Sequence, residues 1–120
     1  MLKQQRIIEN HVKDKFRRVC MHALFVDDVP FNASGFAAEL LVELLGAEVG
    51  MASYRMGRYL HMSARRRWGS DVRVNEMMEE CAKAVGGFGG GHVGAAGGKI
   101  LARKLDDFLK HVQRHLCQAI

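Results

Sequence analysis

The sequence has little proline, no long apolar run and no closely spaced pair of cysteines. One proline in 120 residues, with 48% hydrophobic and 26% charged residues, is typical of a folded globular chain and excludes a disordered tail. The apolar runs fall far short of the roughly 20 residues that a membrane-spanning helix needs. The first 18 residues mix both charge signs without an apolar core, so we expect neither a signal peptide nor a membrane partner.

The cysteines are few, and their spacing favours no motif. Cys20, Cys81 and Cys117 are odd in number and include no C-x-x-C pair. We therefore predict reduced, mostly buried thiols in a cytoplasmic protein, rather than a disulfide or a structural metal site. The 18 basic residues exceed the 13 acidic ones and give a net charge of +5, which is compatible with a polyanionic partner.

Apolar periodicity predicts alternating helices and extended segments in one chain-long unit. We expect helices over residues 4–18, from Asn32 or Ser34 to Gly46, over 75–85 with Asn75 as the cap, and after residue 101. The extended segments are 19–26, a hairpin of 48–55 and 58–65, and 99–101. This order predicts a single compact α/β domain, a mixed sheet covered by helices. We divide it into an N-terminal helix or linker (1–18) and the domain itself (19–120).

The second hairpin strand has two different faces. Leu60, Met62 and Ala64 alternate with Tyr59, His61, Ser63 and Arg65. Because side chains alternate across a strand, the first set packs on a core and the second set is available for hydrogen bonds to a ligand.

Glycine is concentrated in one stretch: eight of the 13 glycines lie between Gly86 and Gly98. Consecutive glycines allow backbone N–H groups to converge on an anion, and His92 adds a titratable donor at the edge of such a concavity. A tight turn in which glycine only relieves steric crowding explains the composition equally well. Composition alone leaves both interpretations open.

Two named phosphate-binding motifs do not fit this stretch. A Walker A loop requires glycine at the position of Val93 and Ser or Thr at the position of Ile100. Gly89, Gly91 and Gly94 match G-x-G-x-x-G, but a predicted helix precedes them where the dinucleotide fingerprint requires a strand.

The residues Gly89-Gly90-Gly91-His92, followed by Ala95-Ala96-Gly97, resemble the GGGH…AAG signature of the DHHA1 domain. This is the C-terminal domain of DHH-family phosphoesterases, which include RecJ-type exonucleases and oligoribonuclease-like enzymes. His61-Met-Ser63-Ala-Arg65 is similar to the S-x-R strand of the same domain. The resemblance covers residues 19 to about 116.

This resemblance implies a substrate-holding role at a cleft that faces a catalytic DHH domain. It assigns contact with a phosphate or terminal nucleotide to the glycine loop and its histidine, and contact with the substrate backbone to the S-x-R strand. The implied substrate-binding residues are Ser63, Arg65, Gly89, Gly90, Gly91 and His92. The implied partners are single-stranded nucleic acid, a short oligonucleotide or a nucleotide.

The sequence departs from the family in its metal ligands. It has no D-x-D and no D-H-H motif, whereas two-metal hydrolysis needs several ligands around both ions. We therefore expect no catalytic residue, no metal ligand and no cofactor in this chain, with Mn²⁺ entering only through a DHH-domain partner. The alternatives are half of a split phosphoesterase or an interaction protein that keeps only the fold, and the oligomeric state stays open.

Three further groups have simpler interpretations. Asp27-Asp28 fits turn chemistry, and the i,i+4 pair His111 and His115 fits a solvent-facing helix better than a metal site. The run from Arg65 to Trp68 is either a nucleic-acid clamp or a solvated hairpin end whose tryptophan packs on a helix.

Overall fold

The computed structural model describes residues 2–117, which form a six-stranded mixed sheet with helices on both faces. The strand order is β1-β2-β3-β4-β6-β5; β2 and β3 are parallel and the other neighbouring pairs are antiparallel. The predicted α/β class is confirmed. In chain order the elements are α1 (Lys3–Lys15), β1 (Arg17–Cys20), β2 (Ala23–Val26), α2 (Ser34–Glu43), β3 (Val49–Met56), β4 (Tyr59–Arg66), α3 (Val74–Ala84), β5 (Phe88–Gly91), β6 (Ala95–Leu101) and α4 (Leu105–Cys117).

One face of the sheet is covered by α3 and α4. Met77 and Met78 of α3 and Phe108 of α4 are fully buried against sheet residues such as Met62 and Ile100. The apolar stripes of the two helices therefore lie where their sequence periodicity predicts.

The opposite face is covered over only part of its width. Ile8 and Val12 of α1 and Leu41 of α2 pack on Leu24 and Val26 of β2, and this second core also includes Ala52 of β3. The helices α1 and α2 thus cover the side of the sheet that contains β2 and β3. Across residues 2–117, no helix is both long and apolar enough to cross a membrane.

The predicted strand over residues 19–26 is wrong, because two strands occupy this region. Residues Met21 and His22 form a turn that lets β1 fold back antiparallel on β2. Two predicted helix caps are also wrong. Ala33 and Arg73 occupy the N-cap positions of α2 and α3 without a side-chain cap hydrogen bond, and Asn75 lies inside α3.

The predicted glycine loop is instead a hairpin at the edge of the sheet. β5 pairs with β6, and two backbone hydrogen bonds close the turn between them. The His92 N–H donates to the Ala95 carbonyl at 2.8 Å, and the Ala95 N–H donates to the His92 carbonyl at 3.2 Å. Glycine is required where α3 approaches the sheet, since a Cβ on Gly89 would lie 2.7 Å from the Met78 carbonyl oxygen. The pairing of β6 with β4 and the packing of α3 against β5 therefore outweigh the low strand propensity of glycine.

The prediction of three reduced thiols is wrong for two of them. Cys20 and Cys117, which are 97 positions apart in sequence, form a disulfide. Their Cα atoms are 6.1 Å apart, a separation usual for such bonds. The fold places the end of β1 beside the end of α4, and the spacing of the cysteines along the sequence does not show that these two ends meet. Cys81 is a free, buried thiol. Its pKa is raised to about 12, mainly because the thiol is buried and to a smaller extent because the Glu80 carboxylate is close.

Candidate functional site

The outward side of β4, β6 and β5, together with Tyr54 at the end of β3, forms a surface that we call the open face. Its outward residues are half-buried or exposed. The strand register arranges them in three parallel rows across the sheet. These are the aromatic row (Tyr54, His61, Lys99, Phe88), the glycine row (Ser63, Gly97, Gly90) and the arginine row (Arg65, Ala95).

The first turn of α2 lies against the glycine and arginine rows. The Ser34 and Ser63 hydroxyls are hydrogen-bonded at 2.8 Å. The Arg65 Nη2 atom lies 2.9 Å from the position that a Cβ on Gly35 would take. The start of α2 has no side-chain cap, so its first N–H groups carry the positive end of the helix dipole. Two positive groups thus meet at one place, an arrangement that favours an anion between them.

The Arg65 side chain is hydrogen-bonded to backbone carbonyl groups of the sheet. Its Nη1 donates to the Ala64 carbonyl at 2.9 Å and to the Ala96 carbonyl at 3.5 Å. The Glu39 carboxylate lies 3.9 Å from the Arg65 Nε, and the Arg65 side chain is 28% exposed. The carbonyl contacts fix the guanidinium group, and its exposed part faces solvent beside α2.

The glycines of β5 and β6 differ in the direction their missing side chains would take. A Cβ on Gly90 would meet nothing within 4 Å, because Gly90 is on the open face. A Cβ on Gly89 would instead point towards α3. Gly91 has a φ of +143°, a conformation that suits glycine.

His92 is exposed and lies in the hairpin turn, where its backbone N–H and carbonyl are hydrogen-bonded to the backbone of Ala95, the residue that pairs with Arg65. The structure thus brings Ser63, Arg65, Gly90 and His92 to one end of three adjacent strands. Gly89 and Gly91 border this group with their missing side chains turned away from the open face.

Sequence reasoning missed the aromatic row as a unit. The Tyr54 and His61 rings stack at 5.0 Å, the Lys99 Nζ lies 4.6 Å from the Tyr59 ring centroid, and Phe88 is 68% exposed. An open depression of about 470 Å³ is lined by His61, Phe88, Gly89, Gly90, Gly97, Gly98 and Lys99. A strand assignment for residues 88–91 would have placed Phe88 and Gly90 on one face, but the register with Lys99 is not readable from sequence.

The remaining candidates do not form a second site. Asp28 has a φ of +53°, which agrees with turn chemistry. His115 Nδ1 lies 2.9 Å from the Glu80 carboxylate, and among residues 2–117 no group of three His, Cys, Asp or Glu side chains could hold a metal ion. Trp68 is 95% exposed and so does not pack on a helix, and Arg66 turns away to donate to the Val72 carbonyl at 2.8 Å.

Comparison with known proteins agrees with this architecture. The family model of the DHHA1 domain matches residues 18–117. The C-Ala domain of Aquifex aeolicus alanyl-tRNA synthetase is similar in fold, with a TM-score of 0.68 at 20% identity over 85% of this chain and 97% of that one. No curated protein sequence matches the chain.

Two longer solved structures contain a similar fold. An exopolyphosphatase-related protein from Bacteroides fragilis gives a TM-score of 0.72 at 12% identity, over 96% of this chain and 36% of that one. A pGpG-specific phosphodiesterase from Vibrio cholerae gives 0.62 at 10% identity, over 92% of this chain and 39% of that one. The chain therefore spans less than two fifths of the length of either protein.

Proposed function

Since the chain belongs to the DHHA1 domain family, we propose that it is a substrate-holding module that binds the phosphates of a single-stranded or short oligonucleotide on its open face. One observation carries this proposal: Arg65 and the uncapped first turn of α2 meet beside a row of glycines.

Each part of this arrangement suits a phosphate. The arginine provides charge-assisted hydrogen bonds in a planar fork, and the helix N-terminus adds N–H donors and a favourable dipole. Gly90 and Gly97 leave the strand surface bare, so the backbone can approach the ligand closely. His92 stands at the end of the hairpin, next to the arginine row, where it can reach a ligand that extends past Ala95.

The test is fluorescence anisotropy with a labelled short oligonucleotide. Arg65→Ala should weaken binding by about 10-fold or more, because a hydrogen bond to a charged group contributes roughly 1.5 to 3 kcal/mol. His92→Ala should weaken it less, since its side chain is exposed. Lys83→Ala is the matched control, because it removes the same charge from the exposed part of α3, on the opposite face. Equal affinities for wild type, Arg65→Ala and His92→Ala would refute the proposal.

A second candidate is the non-catalytic part of a phosphoesterase whose DHH domain is on another chain. This chain spans 36% and 39% of the two longer structures, and residues 2–117 contain no three-ligand cluster. The donor set for a pair of Mn²⁺ ions is thus not in the described part of the chain, and we assign no hydrolytic step to it.

This candidate predicts complementation. Mixing the chain with a DHH-domain protein and Mn²⁺ should accelerate hydrolysis of a short oligonucleotide over either protein alone, and Arg65→Ala should reduce the gain. An unchanged rate in the mixture would leave the binding module as the better description.

A further inference from the structure

We infer, building on the proposed phosphate site, that Phe88 forms a stacking subsite for the base of the bound nucleotide. The aromatic row then receives the base, the glycine row receives the phosphate of the same nucleotide, and Arg65, one row further along the strands, receives the next phosphate.

The first support is the environment of Phe88. Phe88 is 68% exposed although it lies within a paired strand, directly opposite Lys99. A single exposed aromatic residue is ordinary on a protein surface. This one borders a depression of about 470 Å³ whose floor consists largely of glycine, a volume in the range of small-ligand sites. Gly90 adds no side chain between the ring and this floor, so a planar group can reach the face of the ring.

The second support is the distance between the two rows. The aromatic and glycine rows are two residues apart along each strand, which is about 7 Å. In a nucleotide only the sugar separates the base from its phosphate, so one nucleotide can span both rows. The strand register thus places a phosphate-binding backbone and an aromatic ring at a separation that matches one nucleotide.

The third support is the chemistry of the other residues in the row. The His61 ring is stacked on Tyr54 at 5.0 Å, and Lys99 lies over Tyr59 with its Nζ 4.6 Å from the ring centroid. These contacts fix two polar side chains at the wall of the depression and leave the Phe88 ring as its open aromatic surface. A nearby cation and an aromatic platform together favour single-stranded nucleic acid, since every base offers a π-face for stacking.

The experiment compares two labelled ligands with the same number of phosphates, a short oligodeoxyadenylate and an abasic oligomer of equal length. Wild type should bind the oligodeoxyadenylate about 10-fold more tightly, since stacking of one base contributes roughly 1 to 3 kcal/mol. Phe88→Ala should remove this preference without changing the affinity for the abasic oligomer. Phe88→Trp should restore the preference, whereas Phe88→Leu, which is apolar without a ring, should not.

Met21→Ala is the control for the loss of exposed apolar surface, because Met21 is 79% exposed in the turn between β1 and β2, away from the open face. If the abasic oligomer binds in an Arg65-dependent manner but the Phe88 variants show the wild-type preference, the stacking subsite is refuted and the phosphate site stands. If wild type binds neither ligand, both proposals fail.

Discussion

Gly89 and Gly90 are neighbours in β5, and each lacks a side chain for a different reason. A Cβ on Gly89 would lie 2.7 Å from the Met78 carbonyl oxygen, a backbone atom of α3 that cannot easily move, whereas a Cβ on Gly90 would meet nothing within 4 Å. Packing thus explains Gly89. It does not explain Gly90, where our proposal is that a ligand approaches the backbone closely.

This difference gives the first prediction. Gly89→Ala should lower the free energy of unfolding by about 1 to 3 kcal/mol, because the added methyl group overpacks the contact with α3. Gly90→Ala should leave the urea midpoint unchanged or slightly higher and weaken oligonucleotide binding several-fold. Urea titration and anisotropy on both variants measure the two effects. A Gly90→Ala variant with wild-type affinity would mean that no ligand approaches the backbone there.

Cys81 gives a pH-dependent prediction. Burial raises the pKa of its thiol to about 12, with a smaller contribution from Glu80, whereas an unfolded chain has a cysteine pKa of about 8.5. The folded state therefore holds its proton more tightly, and the stability contribution of the thiol is complete below about pH 8.5 and declines as the pH rises towards 12. Between about pH 8 and 10.5, wild type should lose more stability than Cys81→Ala. Parallel pH profiles of the urea midpoint in the two proteins would contradict this assignment.

At the scale of elements, the sequence predicts what is periodic and misses what depends on pairing. The bounds of α3 and the β3–β4 hairpin follow from apolar spacing, and Gly46, with a φ of +76°, ends the α2 region as predicted. The predicted end of the first helix at residue 18 is wrong, because α1 ends at Lys15 and β1 begins at Arg17. The turn between β1 and β2 was missed because Met21 and His22 are not turn-forming residues. The β5–β6 hairpin was missed because its glycines have low strand propensity, and only α3 and the paired neighbours show why they suit a strand.

The disulfide joins the first strand to the last helix and predicts a dependence on reductant. The bond joins Cys20 and Cys117, which are 97 positions apart, and its reduction should cost about 3 kcal/mol, the middle of the range usual for disulfides. This corresponds to a fall in Tm of roughly 10 °C in a chain of this size. Thermal melts with and without a phosphine reductant measure it.

Two variants control this experiment. Cys117→Ser should melt at the lower temperature under both conditions, and Cys81→Ala should keep the reductant dependence. A wild-type Tm that is insensitive to reductant would show that the two thiols are not linked in solution.

At the scale of the whole molecule, the candidate site exists because the helices are distributed unequally over the sheet. α3 and α4 cover one face, while on the other face α1 and α2 pack over the side that contains β2 and β3. Alternation along β4 predicted that Ser63 and Arg65 share a polar face. The position of α2 beside Arg65 could not be predicted, because Gly35 and Arg65 are 30 residues apart and meet only when the helix crosses the strands. The position of Phe88 opposite Lys99 could not be predicted either, because it depends on the register of β5 with β6.

The charge of the molecule gives the last prediction. A net charge of +5 attracts any polyanion in a non-specific way, so affinity alone does not show that the open face is used. Each phosphate neutralised on a single strand contributes roughly −0.7 to the slope of log K against log salt concentration. Arg65→Ala should therefore make the slope less steep by about 0.7, while Lys83→Ala, which also lowers the net charge by one, should leave it unchanged. Equal salt slopes for the two variants would mean that oligonucleotide affinity depends on the total charge of the protein and that Arg65 does not contact a particular phosphate.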